Sequence, residues 1–114
     1  MEIKIKKIAR GSLLKEVEKV KGRCRLITVT CVDHGGFFEI VYHFFHKGKI
    51  LNYCVLLNKG EDIDSISSIF PSAAFYEREI HDLFGIKFRN HPKLEKLFLP
   101  DDWGSNEGYP LRKS

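Results

Sequence analysis

Ionisable side chains are concentrated in the stretch FYEREIHDLFGIKFRNHP at residues 75–92. If this stretch is helical, Glu79 and Asp82 lie one turn apart on the same side. Two carboxylates at that spacing can carry acid–base or proton-transfer chemistry, and the neighbouring His81 could take part. One interpretation of the stretch is therefore a catalytic site.

The same charges also fit two interpretations without catalysis. Arg78 can pair with Asp82, and Glu77 can pair with His81 beside the apolar stripe of the helix, as in a ladder of surface salt bridges. Alternatively, the charges fix a partner or the chain's own tail through charge-assisted hydrogen bonds. The spacing alone leaves these alternatives open.

The cysteines and histidines predict no metal or cluster site. Cys24, Cys31 and Cys54 contain no CxxC pair, and the last two lie in strand-like apolar runs where a thiol acts as a small hydrophobic group. His43 and His46 come at the end of a strand-like run, where their side chains point to opposite faces. We therefore expect these residues to hold no metal ion and no iron–sulfur cluster.

The charged stretch needs a helix to position it, and residues 73–84 supply one. Ser72 opens this helix and Gly85 closes it. The buried stripe is predicted from apolar side chains at i, i+4 and i+7, which are Tyr76, Ile80 and Leu83.

The rest of the body reads as a sheet with helices on it. A strand at 2–8 is followed by a helix at 13–21 that Ser12 caps and Gly22 ends. Three alternating, β-branched and aromatic runs then predict strands joined by turns, at 25–31, 37–45 and 50–57. The sequence predicts an α+β fold, with an antiparallel or mixed sheet of three to four strands covered by two to three helices.

The last part of the body and the tail carry weaker signals. Asp62 could cap a short helix with Ile63, Ile66 and Phe70 on one side. We expect residues 1–85 to form the body and 86–114 an extended, irregular tail of the same domain. The tail carries many large apolar side chains, which favours an interface over packing on its own body: Leu94, Leu97, Phe98, Leu99, Trp103, Tyr109 and Leu111.

Composition sets the remaining limits. The chain has 114 residues, 43% hydrophobic and 30% charged, as expected for one globular domain. The net charge of +4 is spread along the chain, which makes a nucleic-acid-binding module the least favoured interpretation. No apolar run reaches the roughly 20 residues of a membrane span, and the amino terminus lacks the apolar centre of a secretory signal, so we expect a cytoplasmic chain.

The segment EREIHDLFGIKFRNHPKLEKLFLPDDW, followed by GYPLRKS, resembles the signature of the 30-kDa subunit family of respiratory NADH–quinone oxidoreductase, complex I. The same module occurs in energy-converting [NiFe] hydrogenases and formate hydrogenlyases. The positions that carry the resemblance are Glu77, Arg78, Glu79, Asp82, Phe84, Gly85, His91, Pro92, Pro110, Leu111, Arg112 and Lys113.

The resemblance implies a non-catalytic subunit of a membrane-associated redox complex. Such a subunit packs on the large catalytic subunit, near iron–sulfur subunits, at the cytoplasmic side of the membrane and without membrane contact of its own. Iron–sulfur clusters, with flavin or nickel–iron, are expected on the partners. The residues expected to fix the partner or the tail are Glu77, Arg78, Glu79, Asp82, His91, Trp103, Arg112 and Lys113; Phe84, Gly85, Pro92, Pro110 and Leu111 are expected to be structural.

Two departures from longer family members indicate a subtype. The sequence is short at its amino terminus and stops one residue after Lys113. Both features are similar to the compact form in energy-converting hydrogenases. The alternative from another class is a stand-alone enzyme that uses Glu79, His81 and Asp82 for acid–base chemistry.

Overall fold

The fold is known for residues 2–92, which the computed structural model describes. Six strands, two α-helices and one 3-10 helix follow one another along this part of the chain. In order they are β1 (Glu2–Lys7), the 3-10 helix (Arg10–Ser12), α1 (Leu13–Glu18), β2 (Arg25–Asp33), β3 (Phe37–His46), β4 (Lys49–Asn58), β5 (Ile63–Asp64), α2 (Ala73–Phe84) and β6 (Phe88–Arg89).

The main sheet has four strands in the order β1-β4-β3-β2. The β2–β3 and β3–β4 pairs are antiparallel, whereas β1 is parallel to β4. Lys47 and Gly48 join β3 to β4 with φ values of 46° and 79°, the left-handed conformations that a two-residue hairpin turn needs. The predicted α+β class is confirmed, and so are the four predicted strands, with ends within two residues.

The core lies between one face of this sheet and the helices. Alternate β3 residues point into it, and Phe38, Ile40, Tyr42 and Phe44 are each at most 1% exposed. Leu13, Val17 and Val20 cover them from α1 and the turn that follows it, as their helical spacing predicts.

The predicted helix at 13–21 is too long. α1 ends at Glu18, and a series of turns follows as far as residue 23. Ser12 ends the preceding 3-10 helix and gives α1 no side-chain capping bond.

The prediction of a short helix after Asp62 is wrong. Residues Ile63–Asp64 form β5, which pairs in parallel with β6. The Ile63 N–H donates to the Lys87 carbonyl at 3.1 Å, and the Ser65 N–H donates to the Arg89 carbonyl at 2.9 Å. A partner more than 20 positions away decides this conformation, and local spacing does not reveal it.

The sequence predicted an irregular tail from residue 86 onwards, and the structure differs at its first residues. Ile86 and Phe88 are each only 2% exposed and belong to the core. The first residues assigned to the tail therefore complete the body. The apolar tail residues from Leu94 to Leu111 lie outside the described residues.

The buried side of α2 is rotated relative to the prediction. It consists of Ala73, Glu77, Ile80 and Phe84, while Tyr76 and Leu83 are half-buried at its border. Ile80 was predicted correctly. Glu77 occupies a core position, which the sequence did not predict because charged residues are rarely buried. No helix within residues 2–92 is long and apolar enough to cross a bilayer.

Candidate functional site

The candidate site is α2 with the segments that touch it, and Glu77 lies at its buried centre. The Glu77 side chain is 0% exposed. Its two oxygens accept hydrogen bonds from the Ser65 hydroxyl at 2.6 Å and from the Ile66 N–H at 2.9 Å. Ser65 Oγ also accepts from the Ser67 N–H at 3.1 Å. Glu77 thus ties the middle of α2 to the chain that leaves β5.

Burial raises the pKa of the Glu77 carboxyl to about 7, even though the bonds from Ser65 and Ile66 favour the charged form. The group therefore changes protonation close to neutral pH. Its environment makes it a structural carboxyl, because both oxygens are already bonded to the chain and neither faces solvent.

Two histidines fasten the ends of α2. The His91 ring is almost fully buried, and its Nε2–H donates to the Ala74 carbonyl at 2.8 Å. His91 Nε2 also lies 4.0 Å from Glu77 Oε1. At the other end, His81 Nδ1–H donates to the Ile86 carbonyl at 2.9 Å. The signature histidine at position 91 is thus used to hold the fold together.

Phe84 and Gly85 lie at the carboxyl end of α2. Gly85 ends α2 in the left-handed conformation, with φ of 78°, and its N–H bonds to the His81 carbonyl at 2.8 Å. Phe84 packs edge-on against Phe38 of β3, with ring centres 5.9 Å apart. Together they turn the chain back towards β6.

A second buried polar group lies close to this network. The Tyr42 hydroxyl on β3 is buried and has no hydrogen-bond partner in the described part of the chain. Burial, together with the negative charge of Glu77, raises the pKa of Tyr42 well above its ordinary value. Tyr42, Ser65 and Ser67 were not singled out from the sequence, because they come from segments distant from α2.

The remaining charged residues of α2 lie outside the core. Arg78 and Asp82 are half-buried and Glu79 is exposed. The predicted Arg78–Asp82 ion pair does not form: neither residue has an ion-pair partner within residues 2–92, and the buried Asp82 Oδ1 has no hydrogen-bond donor there. The salt-bridge ladder is therefore not the reason for this charge pattern.

Arg78 borders a shallow groove between α2 and the chain after β6. Ala74, Phe75, His91 and Pro92 line the rest of it. Phe75 is 63% exposed, which is unusual for a phenylalanine. The groove combines a cation with an exposed aromatic ring.

The other predicted site residues lie outside the described residues: Trp103, Pro110, Leu111, Arg112 and Lys113. Among residues 2–92, no three His, Cys, Asp or Glu side chains come together as a metal site would require. The acid–base alternative gains no support from the geometry, since His81 bonds to the Ile86 carbonyl and Glu79 is exposed.

Comparison with known proteins gives consistent matches. The family described as "Respiratory-chain NADH dehydrogenase, 30 Kd subunit" matches residues 4–114. An NADH-quinone oxidoreductase subunit of Roseiflexus sp. (strain RS-1) is 39% identical over 79 residues, which cover 67% of this chain and 44% of that protein. The corresponding subunit of Citrifermentans bemidjiense is 40% identical over 94 residues, covering 77% of this chain and 56% of that protein. The chain thus spans about half the length of these relatives.

A solved structure shares the fold. A chain in the structure of the membrane-bound sulfane sulfur reductase, an archaeal respiratory membrane complex, superposes with a TM-score of 0.83. The match covers 98% of this chain and 71% of that one at 23% identity. With the family match over nearly the whole sequence, these similarities confirm the resemblance carried by Glu77–Gly85 and His91–Pro92: the chain belongs to the family of the respiratory-chain NADH dehydrogenase 30-kDa subunit.

Proposed function

We propose that the chain is a non-catalytic subunit of a membrane-associated redox complex, and that it packs on the large catalytic subunit. Family membership and the two NADH-quinone oxidoreductase relatives support a role inside a complex. The chemistry of the chain supports a structural role, because the carboxyl and the imidazoles nearest the centre of α2 are bonded to their own fold.

The observation that carries the proposal is the outer surface of α2 at Arg78. This guanidinium is half-buried and has no ion-pair partner within residues 2–92, and the exposed Phe75 ring lies beside it. Arginine and aromatic side chains together are typical of the strongest contacts in protein interfaces. A carboxylate of the partner would pair with Arg78 while an apolar side chain covers Phe75.

Asp82 supports the same surface. A buried carboxylate oxygen without a donor is costly, at about 1–3 kcal/mol or more for a charged group. Because this oxygen is enclosed, a donor from the partner would remove the cost if the Asp82 side chain turned outwards on binding. Arg78 and Asp82 are one helical turn apart, so they offer the partner a cation and an anion in a fixed order, and Glu79 adds a second exposed anion nearby.

The finer assignments are also proposals. We assign iron–sulfur clusters, together with flavin or nickel–iron, to partner subunits rather than to this chain. The chain would lie on the cytoplasmic side of the membrane and touch the membrane only through the complex. The complex would be of the NADH–quinone oxidoreductase type or of the energy-converting hydrogenase type. Trp103, Arg112 and Lys113 would contact the same large subunit.

The test is assembly of the complex with an Arg78→Ala chain. We expect the yield of complex per cell to fall by roughly tenfold, as the loss of one interface arginine worth about 1.4 kcal/mol would give. The complex that still forms should keep its specific activity. Lys15→Ala removes the same charge from an exposed site on α1 and should leave the yield unchanged. Full assembly of the Arg78→Ala complex with lost turnover would instead indicate that Arg78 serves the reaction.

A further inference from the structure

The side of the four-stranded sheet that faces away from α1 and α2, called here the open face, is apolar to an unusual degree. Seven large hydrophobic side chains within residues 2–92 are exposed, and five of them lie on this face. They are Ile3 (62% exposed), Ile5 (68%), Val32 (47%), Phe37 (37%) and Leu56 (56%). The register places them on the side opposite the buried Tyr42 and Val55.

Strand β1 shows that this arrangement is specific. Its sequence alternates isoleucine with lysine, and the simplest fold would turn the isoleucines towards the core. The observed register does the reverse. Lys6 reaches the helix side, where its Nζ pairs with Glu16 Oε1 at 2.6 Å, and Ile3 and Ile5 are left on the open face. The lysines that alternate with isoleucine on β1 thus point towards the helices, and the isoleucines point away from them. This arrangement is expected if a partner covers the open face as well.

The polar groups in the middle of the open face already bond to one another. His43 on β3 donates from Nδ1 to Asn52 Oδ1 at 2.8 Å, and its Nε2 accepts from the Thr30 hydroxyl at 3.0 Å. The His34 ring pairs with Glu39 at 2.9 Å. A partner could therefore cover this face without leaving these groups unpaired, which is the main cost of burying polar side chains.

The unpaired charges on the rim are positive. Lys7 at the end of β1 and Arg25 at the start of β2 have no ion-pair partner within residues 2–92, and Arg25 lies over the Phe45 ring at 5.6 Å. A second copy of this chain would bring the same cations to the contact, and like charges oppose association. A surface that carries carboxylates around an apolar centre complements this rim.

We propose that the open face is a second docking surface, which binds a partner subunit through an apolar stripe bordered by carboxylates. This inference rests on the proposed role of the chain as a subunit of a complex. It adds a contact on the side of the sheet opposite α2. The chain would then lie between two protein surfaces, with its sheet covered on both faces.

The test uses the assembled complex, with a photo-reactive amino acid placed at Leu56 or at Ile5. Both side chains are exposed, so the substitution leaves the core intact. We expect crosslinks from both sites to one segment of a partner subunit that contains apolar residues and carboxylates. The same probe at Lys15, on the helix side of the sheet, should not reach that segment. Crosslinks to a second copy of this chain, or to its own residues 93–114, would overturn the proposal, and so would an assembled complex that gives no crosslink from either site.

Charge substitutions at one position test the chemistry of the partner. Leu56→Glu places an anion against the proposed carboxylates, and we expect it to lower the complex yield about tenfold. Leu56→Lys should lower the yield less. Equal losses, or a larger loss for Leu56→Lys, would contradict the acidic border. If the Leu56→Glu complex assembles normally while the Arg78→Ala complex does not, the docking proposal fails and the proposed function stands. If the wild-type chain joins no complex, both fail.

Discussion

The Glu77 carboxylate in the middle of α2 accepts a hydrogen bond from the Ser65 hydroxyl, 12 positions earlier in the chain, at 2.6 Å. This contact joins the helix to the end of β5, and the Ile66 N–H strengthens it with a second bond at 2.9 Å. Glu77, a charged residue of the family motif, therefore stabilises the interior of the fold. Arg78 and Asp82, in the same motif, are half-buried outside the core, and we propose them as contacts for a partner.

The pKa of Glu77 predicts a specific dependence of stability on pH. Its carboxyl has a pKa of about 7 in the folded protein, compared with an ordinary value of 4.5, because burial disfavours the charged form. Between these two values the folded chain keeps the proton that the unfolded chain has lost. The free energy of unfolding therefore falls as the pH rises from about 4.5 to about 7, by on the order of 3 kcal/mol, and then levels off.

The Glu77→Gln chain should lack the part of the pH dependence of stability that Glu77 causes, because the amide does not titrate. We expect urea unfolding at about pH 5 and about pH 8 to show a smaller loss of stability in the variant than in the wild type. The comparison removes the contributions of the other titrating groups. Parallel pH profiles for the two chains would contradict the raised pKa.

The hydroxyl of Tyr42 should contribute nothing favourable to stability. It is buried without a hydrogen-bond partner in the described part of the chain, and such a group costs about 1–3 kcal/mol. We expect Tyr42→Phe to leave the free energy of unfolding unchanged or to raise it by about 1 kcal/mol. A loss of more than about 1 kcal/mol in denaturant unfolding would mean that the hydroxyl has a partner, such as an ordered water.

Phe88 should be as important to the fold as a residue of the main sheet. It is 2% exposed and belongs to β6, so truncation to alanine should cost about 3–5 kcal/mol. Phe75→Ala removes the same side chain from a site that is 63% exposed, and we expect a change within about 0.5 kcal/mol. Similar losses of thermal stability in the two variants would show that residues 86–89 are not part of the core.

Cys31 should be the least reactive thiol. Burial, together with the nearby charge of Asp33, raises its pKa from 9.0 to about 12, which lowers the thiolate fraction by about a thousandfold. Burial also raises the pKa values of the Cys24 and Cys54 thiols, but these two side chains are less enclosed. Alkylation of the native chain followed by peptide mass mapping should modify Cys31 last, and unfolding should abolish the difference. Early modification of Cys31 would show that its strand opens readily.

The sheet could be predicted from the sequence because alternation of apolar residues and turn residues is a local signal. Phe38, Ile40, Tyr42 and Phe44 follow a strict period of two, and the hairpin glycines mark where β3 begins and ends. The short strands β5 and β6 could not be found in this way. Each has two residues, and their pairing depends on contacts more than 20 positions apart.

The candidate site was predicted only in part, for a related reason. The motif identified α2 and its charged residues, but charge alone placed Glu77 on the surface, since buried carboxylates are rare. What allows it to be buried is Ser65 and the Ile66 N–H, which the sequence does not connect to α2. The orientation of β1 was equally hidden, because the Ile3–Lys4 alternation fits either face of the sheet.

The most direct test of the subunit role is a gentle detergent purification of the tagged chain from cells that produce it, with every co-purifying protein identified and quantified by mass spectrometry. We expect a large catalytic subunit, iron–sulfur proteins and membrane subunits to co-purify in fixed ratios to the chain. Nickel or flavin in the preparation would then distinguish the two types of complex. A chain that elutes alone and monodisperse would contradict the subunit role. A turnover of its own would restore the acid–base interpretation of Glu79 and Asp82.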